Sequence, residues 1–477
     1  MKKFTFIVSL MLLSGLAHAE LPKTVAAELA QSGVPASDVS IYVQAVDSRV
    51  PILSHYADKS MNPASVMKMV TTNAALDLLT PAYRWKTELY QDGLIKDGVL
   101  NGNLIIKGYG DPSFKVQDFW RLLMSLKQAG VEKINGDLLI DKSYFADDVD
   151  NGVSFDDEKW RAYNAKPSAF SVNGRSTSFR FLANEIGVSV NQEFELPEVA
   201  IVNHMKRVDG DCGNWRGRMS YDIQPYGSQS VGTQNKAAKA VVSFKGIYAA
   251  DCGERYIELS LFDDTQYAFF TFKKLWRELG GSFDGKLKLQ PVPANAKKLL
   301  EQASEPLGTV VRDINKWSNN LMARQLLLTL GAEKSGAPAT MQKGAAAIQD
   351  WLSTNGLSFK GLVIENGSGL SRVERISAEH LGKMLVRAYL SPVMPEYMAS
   401  MPILSLDGTV KHRLEESAVN GRAHLKTGSI NGVSSIAGYV LSASGHRYVM
   451  VMLVNHPNAG ASRDAQDALV EWVHRLP

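Results

Sequence analysis

The sequence predicts an α/β protein: an antiparallel sheet flanked by helices, built from the two ends of the chain, with a large insertion between them. Three observations predict it. Three strand signals, His424 to Ile430, Val433 to Leu441 and His446 to Val454, follow one another across short loops, the pattern of an antiparallel meander. A strand–turn–strand pattern over Asp38 to Lys59 leads into a helical run from Ser65 to Leu79. Between these ends, residues 85–290 change texture, to short strands and Gly/Pro/Asn turns around two helical runs.

Element by element, the chain begins with Lys2 and Lys3, an uncharged and mostly apolar stretch from Phe4 to Leu16, and a small-x-small site at Ala17-His18-Ala19. Residues 1–19 therefore read as a cleaved secretory signal peptide, too short to span a bilayer; a buried N-terminal helix is the plainer alternative. No Cys follows the cleavage site, so no lipid anchor is indicated. Removing the signal takes the net charge from +3 to +1. No later stretch is apolar for long enough to form an integral membrane segment, so a soluble periplasmic protein is expected.

Val39 to Val43 alternates as a strand, and Asp47-Ser48-Arg49 turns. In the helical run, Val66, Met69, Val70, Ala74 and Leu78 share one face, and Thr80-Pro81 stops it. Leu104 to Ile106 and Leu138 to Ile140 are short strands, with a helix over Val116 to Gly130 between them. Phe119, Leu122, Leu123, Leu126 and Ala129 are its apolar face. Tyr267 to Leu279 reads as a helix closed by Gly280-Gly281. Helices dominate again from residue 308, with Leu321 to Leu330 strongly apolar. The last helix carries Ala465, Ala468, Leu469, Trp472, Val473 and Leu476 on one face. Packing on the meander is expected for it rather than membrane anchoring, because its polar face mixes acids and bases.

Composition narrows the function. Hydrophobic residues are 45% and charged residues 21% of 477, which excludes a disordered chain, a coiled coil and a collagen-like repeat. Lys and Arg number 52 against 49 Asp and Glu, too even a balance for a nucleic-acid binder. Two cysteines exclude a Cys-rich zinc site and a dense disulfide scaffold. Cys212 and Cys252 sit in matching Asp-Cys-Gly contexts, and export favours their pairing over two free buried thiols.

Familiar catalytic motifs are missing: no His-Glu-x-x-His, no Gly-x-Ser-x-Gly, no phosphate-cradling Gly-x-x-x-x-Gly-Lys, and no His cluster at metal-ligand spacing. No metal or cofactor is expected. What remains is Ser65-Val66-Met67-Lys68 at the start of a helix, which puts serine and lysine on one face. A desolvated lysine beside another cation loses its proton readily and can take the serine proton. Alone, the pair could equally be a capping serine with a surface lysine. Two further elements give it weight. Ser318-Asn319-Asn320 precedes the apolar helix at Leu321, and Lys426-Thr427-Gly428 lies in a strand that a second strand follows. Ser-x-x-Lys, Ser-x-Asn and Lys-Thr-Gly in this order form the acyl-serine site of penicillin-recognising enzymes. Ser171-Val172-Asn173 and Ser189-Val190-Asn191 also read Ser-x-Asn, but no helix follows either. Lys334-Ser335-Gly336 fits a helix C-terminus better than a strand.

With these residues the sequence resembles the D-alanyl-D-alanine carboxypeptidase/endopeptidase family, the class C low-mass penicillin-binding proteins of the penicillin-binding-protein-four type. Asn62-Pro63-Ala64-Ser65-Val66-Met67-Lys68 resembles the nucleophile segment. Ser318 follows Ser65 by 253 positions, far more than in ordinary β-lactamases of this fold. Gly102 to Pro112, Gly136 to Phe145, Tyr163-Asn164-Ala165 and Gly367 to Arg372 also match family segments. The resemblance implies a β-lactamase/transpeptidase-like domain with a nested two-domain insertion. The expected division is a catalytic domain over 20–84 and 291–477, a strand-rich domain over 85–98 and 165–290, and a small α/β domain over 99–164 nested within it.

The resemblance also implies roles. Ser65 is the expected nucleophile, Lys68 the base, Ser318 the proton relay, and Asn320 a holder of Lys68 and the substrate amide. Lys426 is expected to hold a carboxylate and, by repulsion, to keep Lys68 neutral. Thr427, Gly428, Ser429, Arg372 and Asn431 are the expected substrate-binding residues. The implied partners are peptidoglycan stem peptides and β-lactam antibiotics. Val66 and Asn431 depart from the commonest family residues without removing a catalytic group. A β-lactamase or a non-catalytic cell-wall scaffold are the alternatives; no convincing Glu-x-x-Leu-Asn element supports the first, and three intact motifs argue against the second.

Overall fold

The computed structural model describes residues 20–147, 155, 156, 158, 160–225 and 239–477, so the expected signal segment lies outside the described residues. The two ends of the chain share one five-stranded antiparallel sheet. Its spatial order is Leu53–His55, Val39–Ala45, Arg447–Asn455, Val433–Leu441, Ala423–Ile430. The C-terminal meander forms, and the first strand of the chain pairs with its last, Tyr42 opposite Val451.

Side chains alternate across this sheet, so each strand feeds two cores. Met450, Met452 and Val454 face the helices Lys23–Ser32 and Arg463–His474. Val449, Val451 and Leu453 face a helical layer that includes Lys68–Leu79, Asn320–Ser335 and Ala378–Tyr389. Leu469, Val470 and Val473 of the last helix are fully buried against the sheet, so it packs on the meander. Among the described residues no helix is long and apolar enough to cross a membrane.

The insertion leaves and returns through two paired strands, Lys86–Gln91 and Lys297–Ala303. They belong to a five-stranded sheet ordered Leu287–Leu289, Leu138–Asp141, Leu104–Gly108, Lys86–Gln91, Lys297–Ala303. Helices Val116–Gln128 and Asp264–Glu278 pack in its core through Phe119, Leu122, Leu123, Phe272 and Trp276. Two three-stranded sheets lie between Thr177 and Leu259, and rings of Phe179, Phe181, Phe244 and Tyr248 pack between them.

This pairing reverses the expected nesting. The α/β unit is the outer insertion, and the strand-rich part is inserted within it. The outer unit also extends past residue 291, through strand Lys297–Ala303. The reason is long-range. Leu104–Gly108, Leu138–Asp141 and Leu287–Leu289 pair in parallel, and parallel neighbours need crossover helices. Helices 116–128 and 264–278 supply them from opposite sides of the strand-rich stretch. Local texture groups neighbours in sequence and is blind to that partnership.

Cys212 and Cys252 are bonded, closing a loop of 40 residues in the strand-rich part. Loop closure of that length stabilises by roughly 4 kcal/mol in the chain-entropy model. The double variant Cys212→Ser/Cys252→Ser should therefore unfold at lower urea by circular dichroism. Thiol titration of the unreduced, denatured parent should find no free thiol.

Candidate active site

The nucleophile turn is built on asparagine. Asn62 exchanges hydrogen bonds with Asn455 on the central sheet, at 2.8 and 2.9 Å, and its Oδ1 accepts from the Ala64 amide at 2.9 Å. Ala64 then sits at φ +45°, in the left-handed region, which turns the chain sharply into a 3₁₀ segment, Ala64–Met67. That segment runs into helix Lys68–Leu79, so Ser65 and Lys68 lie one turn apart on the same face.

Lys68 is fully buried. Its Nζ lies 3.0 Å from Ser65 Oγ and 2.5 Å from Asn320 Oδ1, and it also donates to the Ser368 carbonyl. Burial pushes the amine well below its ordinary value; the Lys426 charge pushes it further, Glu374 pulls it up, and Arg324 lowers it again. A neutral amine has two N–H donors and one lone pair. The Asn320 and Ser368 carbonyls can only accept, so they take the two donors. The lone pair is left for the Ser65 hydroxyl.

Ser318 lies in the short link between helices Leu307–Lys316 and Asn320–Ser335, held at φ +56°. Asn319 caps the second helix by accepting from the Met322 amide at 3.1 Å. This cap places Asn320 on the first turn, facing Lys68. Lys426 enters from the edge strand Ala423–Ile430, fully buried, and donates to Ser318 Oγ at 2.9 Å and to the Thr427 carbonyl at 2.6 Å. Burial lowers its amine to about 7.

Two glycines allow the parts to meet. A Cβ on Gly428 would lie 2.8 Å from the Ser65 nitrogen and 2.7 Å from the Pro63 carbonyl. One on Gly369, at φ +78°, would lie 1.8 Å from the Ala64 carbonyl. Ser435, on the neighbouring strand, donates to the Pro63 carbonyl at 2.6 Å and ties the nucleophile turn to the sheet.

Ser65, Lys68, Ser318, Asn320, Lys426, Thr427 and Gly428 thus come together at one sheet edge. Thr427 donates to Thr409 Oγ1 at 2.9 Å. Ser429 is exposed farther along the strand. Arg372, also exposed, donates to the Asn431 carbonyl at 2.9 Å and stacks 4.5 Å over the Phe155 ring. Asn431 therefore contributes its backbone to this contact. Ser189 lies in strand Gly187–Gln192 and Asn173 in a 3₁₀ turn of the insertion, while Lys334 closes a helix. Thr409, Glu374 and Ser435 had no motif to announce them, and the Gly367 to Arg372 segment held Ser368 without pointing to its carbonyl. Among the described residues no group of three or more His, Cys, Asp or Glu is placed to hold a metal.

Comparisons with known proteins identify the chain's relatives. The sequence profile of the D-Ala-D-Ala carboxypeptidase 3 (S13) family matches residues 21–476. The D-alanyl-D-alanine carboxypeptidase DacB of Haemophilus influenzae is 26% identical over 458 residues, covering 94% of this chain and 92% of its own. A D-alanyl-D-alanine carboxypeptidase of Actinomadura sp. (strain R39) is 26% identical over 473 residues, covering 96% of this chain and 85% of its own. In fold, the chain is similar to the crystal structure of penicillin binding protein 4 (dacB) from Haemophilus influenzae. The TM-score is 0.74 at 24% identity, over 94% of this chain and 99% of that one. The Bd0816 predatory endopeptidase of Bdellovibrio bacteriovorus is more distant, with a TM-score of 0.52 at 15% identity, over 92% of this chain and 94% of that one. The antiparallel sheet flanked by helices is thus of the transpeptidase/β-lactamase kind. With the profile running along nearly the whole chain, the chain belongs to the D-Ala-D-Ala carboxypeptidase 3 (S13) family and is a serine peptidase.

Proposed function

We propose that this chain removes the terminal D-alanine from peptidoglycan stem peptides, and opens D-alanyl cross-links, through an acyl-Ser65 intermediate. The observation that carries the reading is the Lys68 amine 3.0 Å from Ser65 Oγ, with acceptor-only carbonyls as its other partners. Neutral Lys68 takes the Ser65 proton as Oγ attacks the carbonyl carbon of the penultimate D-alanine. The oxyanion is held by the amides of Ser65 and Ser429, worth about 3–4 kcal/mol per donor. The Leu425 amide points outward, to the Pro402 carbonyl, so by the strand's two-residue period the Ser429 amide faces the open edge too. The leaving amine takes its proton through Ser318. Water then cleaves the acyl-enzyme and restores Ser65.

The substrate lies along the edge of Ala423–Ile430 beyond Leu425, where the pairing with residues 402–404 ends, as an added strand. Lys426, with the hydroxyls of Thr427 and Ser429, receives the terminal carboxylate. Arg372, at the far end, suits a second carboxylate on the stem peptide. A β-lactam enters the same way, but its leaving amine stays tethered, so the acyl-enzyme lasts. The signal segment and the disulfide support a periplasmic setting.

Mass spectrometry of muropeptides after digestion tests the reading. Loss of terminal D-alanine and conversion of cross-linked dimers to monomers are both expected; unchanged muropeptides sink it. Gly428→Ala should slow penicillin acylation about 100-fold, because its methyl forces the strand away from the Ser65 turn. Gel labelling with a fluorescent penicillin over time checks this.

A further inference from the structure

The loop 365–370 carries two pieces of the site: the Ser368 carbonyl that takes a Lys68 proton, and Gly369, packed on the nucleophile turn. What shapes that loop is Glu374, a fully buried side chain that no step above uses. Its Oε1 accepts three consecutive backbone amides, from Glu365 at 3.1 Å, Asn366 at 2.9 Å and Gly367 at 2.8 Å. The loop is also tied by Thr71 Oγ1 to the Gly367 carbonyl at 2.7 Å, by Asn366 Nδ2 to the Leu370 carbonyl at 3.0 Å, by the Ser368 amide and hydroxyl to Asn366 Oδ1 at 2.9 and 2.7 Å, and by the Leu370 amide to Ser368 Oγ at 3.2 Å. Ser371 in turn fixes Glu374, its Oγ accepting the Glu374 amide at 3.0 Å.

We propose that Glu374 is a positioning residue: a carboxylate that clips the 365–370 loop, and with it the Ser368 carbonyl that holds Lys68, under the nucleophile turn. The inference rests on Lys68 being that base.

Three amides converging on one oxygen are the arrangement that favours a carboxylate over an acid. Oε2 has no hydrogen-bond partner among the described residues, so the preference for the carboxylate rests on the three amides at Oε1. Burial raises the carboxyl above its ordinary value, and the three amides and the Lys68 charge offset part of that rise. The charges acting on Lys68 come from three places: Lys426 on the edge strand, Arg324 on helix Asn320–Ser335, and Glu374 just beyond the loop. Glu374 is the anion of the three. Without it, two cations would act unopposed on the base, and Lys68 would lose its proton at lower pH.

Stopped-flow acylation by a chromogenic cephalosporin, followed from pH 4 to 10, tests this with two variants. Glu374→Gln keeps an acceptor oxygen and removes the charge. Its acid limb should move down by about one pH unit, with most of the maximal rate kept. Glu374→Ala removes clip and charge, and should lower the maximal acylation rate about 100-fold with little change in the cephalosporin's initial binding constant. An unshifted or upward-shifted limb in Glu374→Gln overturns the proposal, as does a parent-like rate in Glu374→Ala. If the alanine variant does not fold, the glutamine variant alone decides. Lys68→Arg, run alongside, separates the two readings. If it acylates like the parent, the base assignment fails first; if it is inert while both Glu374 variants match the parent, this inference fails alone.

Discussion

Ser65→Ala should leave a folded protein that gains no mass from penicillin and releases no D-alanine from muropeptides. The expected loss is about a millionfold in turnover, because residues of a nucleophile–base pair act as a unit and neither rescues the other. The rest of the site has little reason to move. Asn62 still ties the turn to Asn455, and Ser435 still holds the Pro63 carbonyl. Lys68 keeps its contacts to Asn320 and Ser368 and loses one partner, a stability change of about 1 kcal/mol. Urea unfolding should show that small change, and intact-mass analysis the missing adduct. Ser171→Ala and Ser189→Ala, in the insertion, should label like the parent. An adduct that survives in Ser65→Ala overturns the nucleophile assignment.

Why those residues were legible in the sequence, and others not, follows from the range of the interactions. Ser65 and Lys68 are one turn apart, so helical periodicity alone puts them on one face. The Val449/Met450 alternation that splits the sheet into two cores is equally local. Lys426 and Ser318 are distant in sequence, and only the motif order of a known family joins them. Nothing local foretells that the Ser368 carbonyl reaches Lys68, because any residue offers a carbonyl. Glu374 was silent for a related reason: its three partners are backbone amides, which leave no trace in side-chain pattern. The reversed nesting of the insertion is the same lesson at domain scale, since parallel pairing joins strands 138–141 and 287–289 across the whole strand-rich stretch. The geometry also changes one electrostatic expectation. Lys426 was expected to hold a carboxylate by its charge, yet burial lowers it to about 7.

That value sharpens the prediction for the two lysines. Lys68→Arg should abolish acylation at every pH, since a guanidinium cannot serve as a base in this range. In the parent, acylation needs Lys68 neutral and, for substrates with a free carboxylate, Lys426 charged. As pH rises, the first condition is met on passing the depressed Lys68 value, and the second is lost as Lys426 deprotonates near 7. The profile of kcat/KM on a D-alanyl-D-alanine peptide should therefore be bell-shaped, with an alkaline limb near 7. A bound carboxylate stabilises the Lys426 charge, so the alkaline limb of kcat should lie higher. Lys426→Arg keeps its charge, so the alkaline limb should vanish while altered hydrogen-bond geometry costs rate, chiefly on free-carboxylate substrates. Lys426→Met removes the cation beside Lys68, which then holds its proton longer, and the acid limb should move to higher pH. Stability should follow the same charges. Between the folded Lys426 value of about 7 and the ordinary lysine value, the unfolded chain binds the extra proton, so the parent gains stability as pH rises through that window. Lys426→Met, free of a buried charge, should be more stable than the parent at pH 6, and the gap should close toward pH 10. Stopped-flow acylation and peptide hydrolysis from pH 5 to 10, with urea melts at both ends, measure all of this. Parent-like acylation by Lys68→Arg would shift the base role to Ser318 and its partner Lys426, 2.9 Å away.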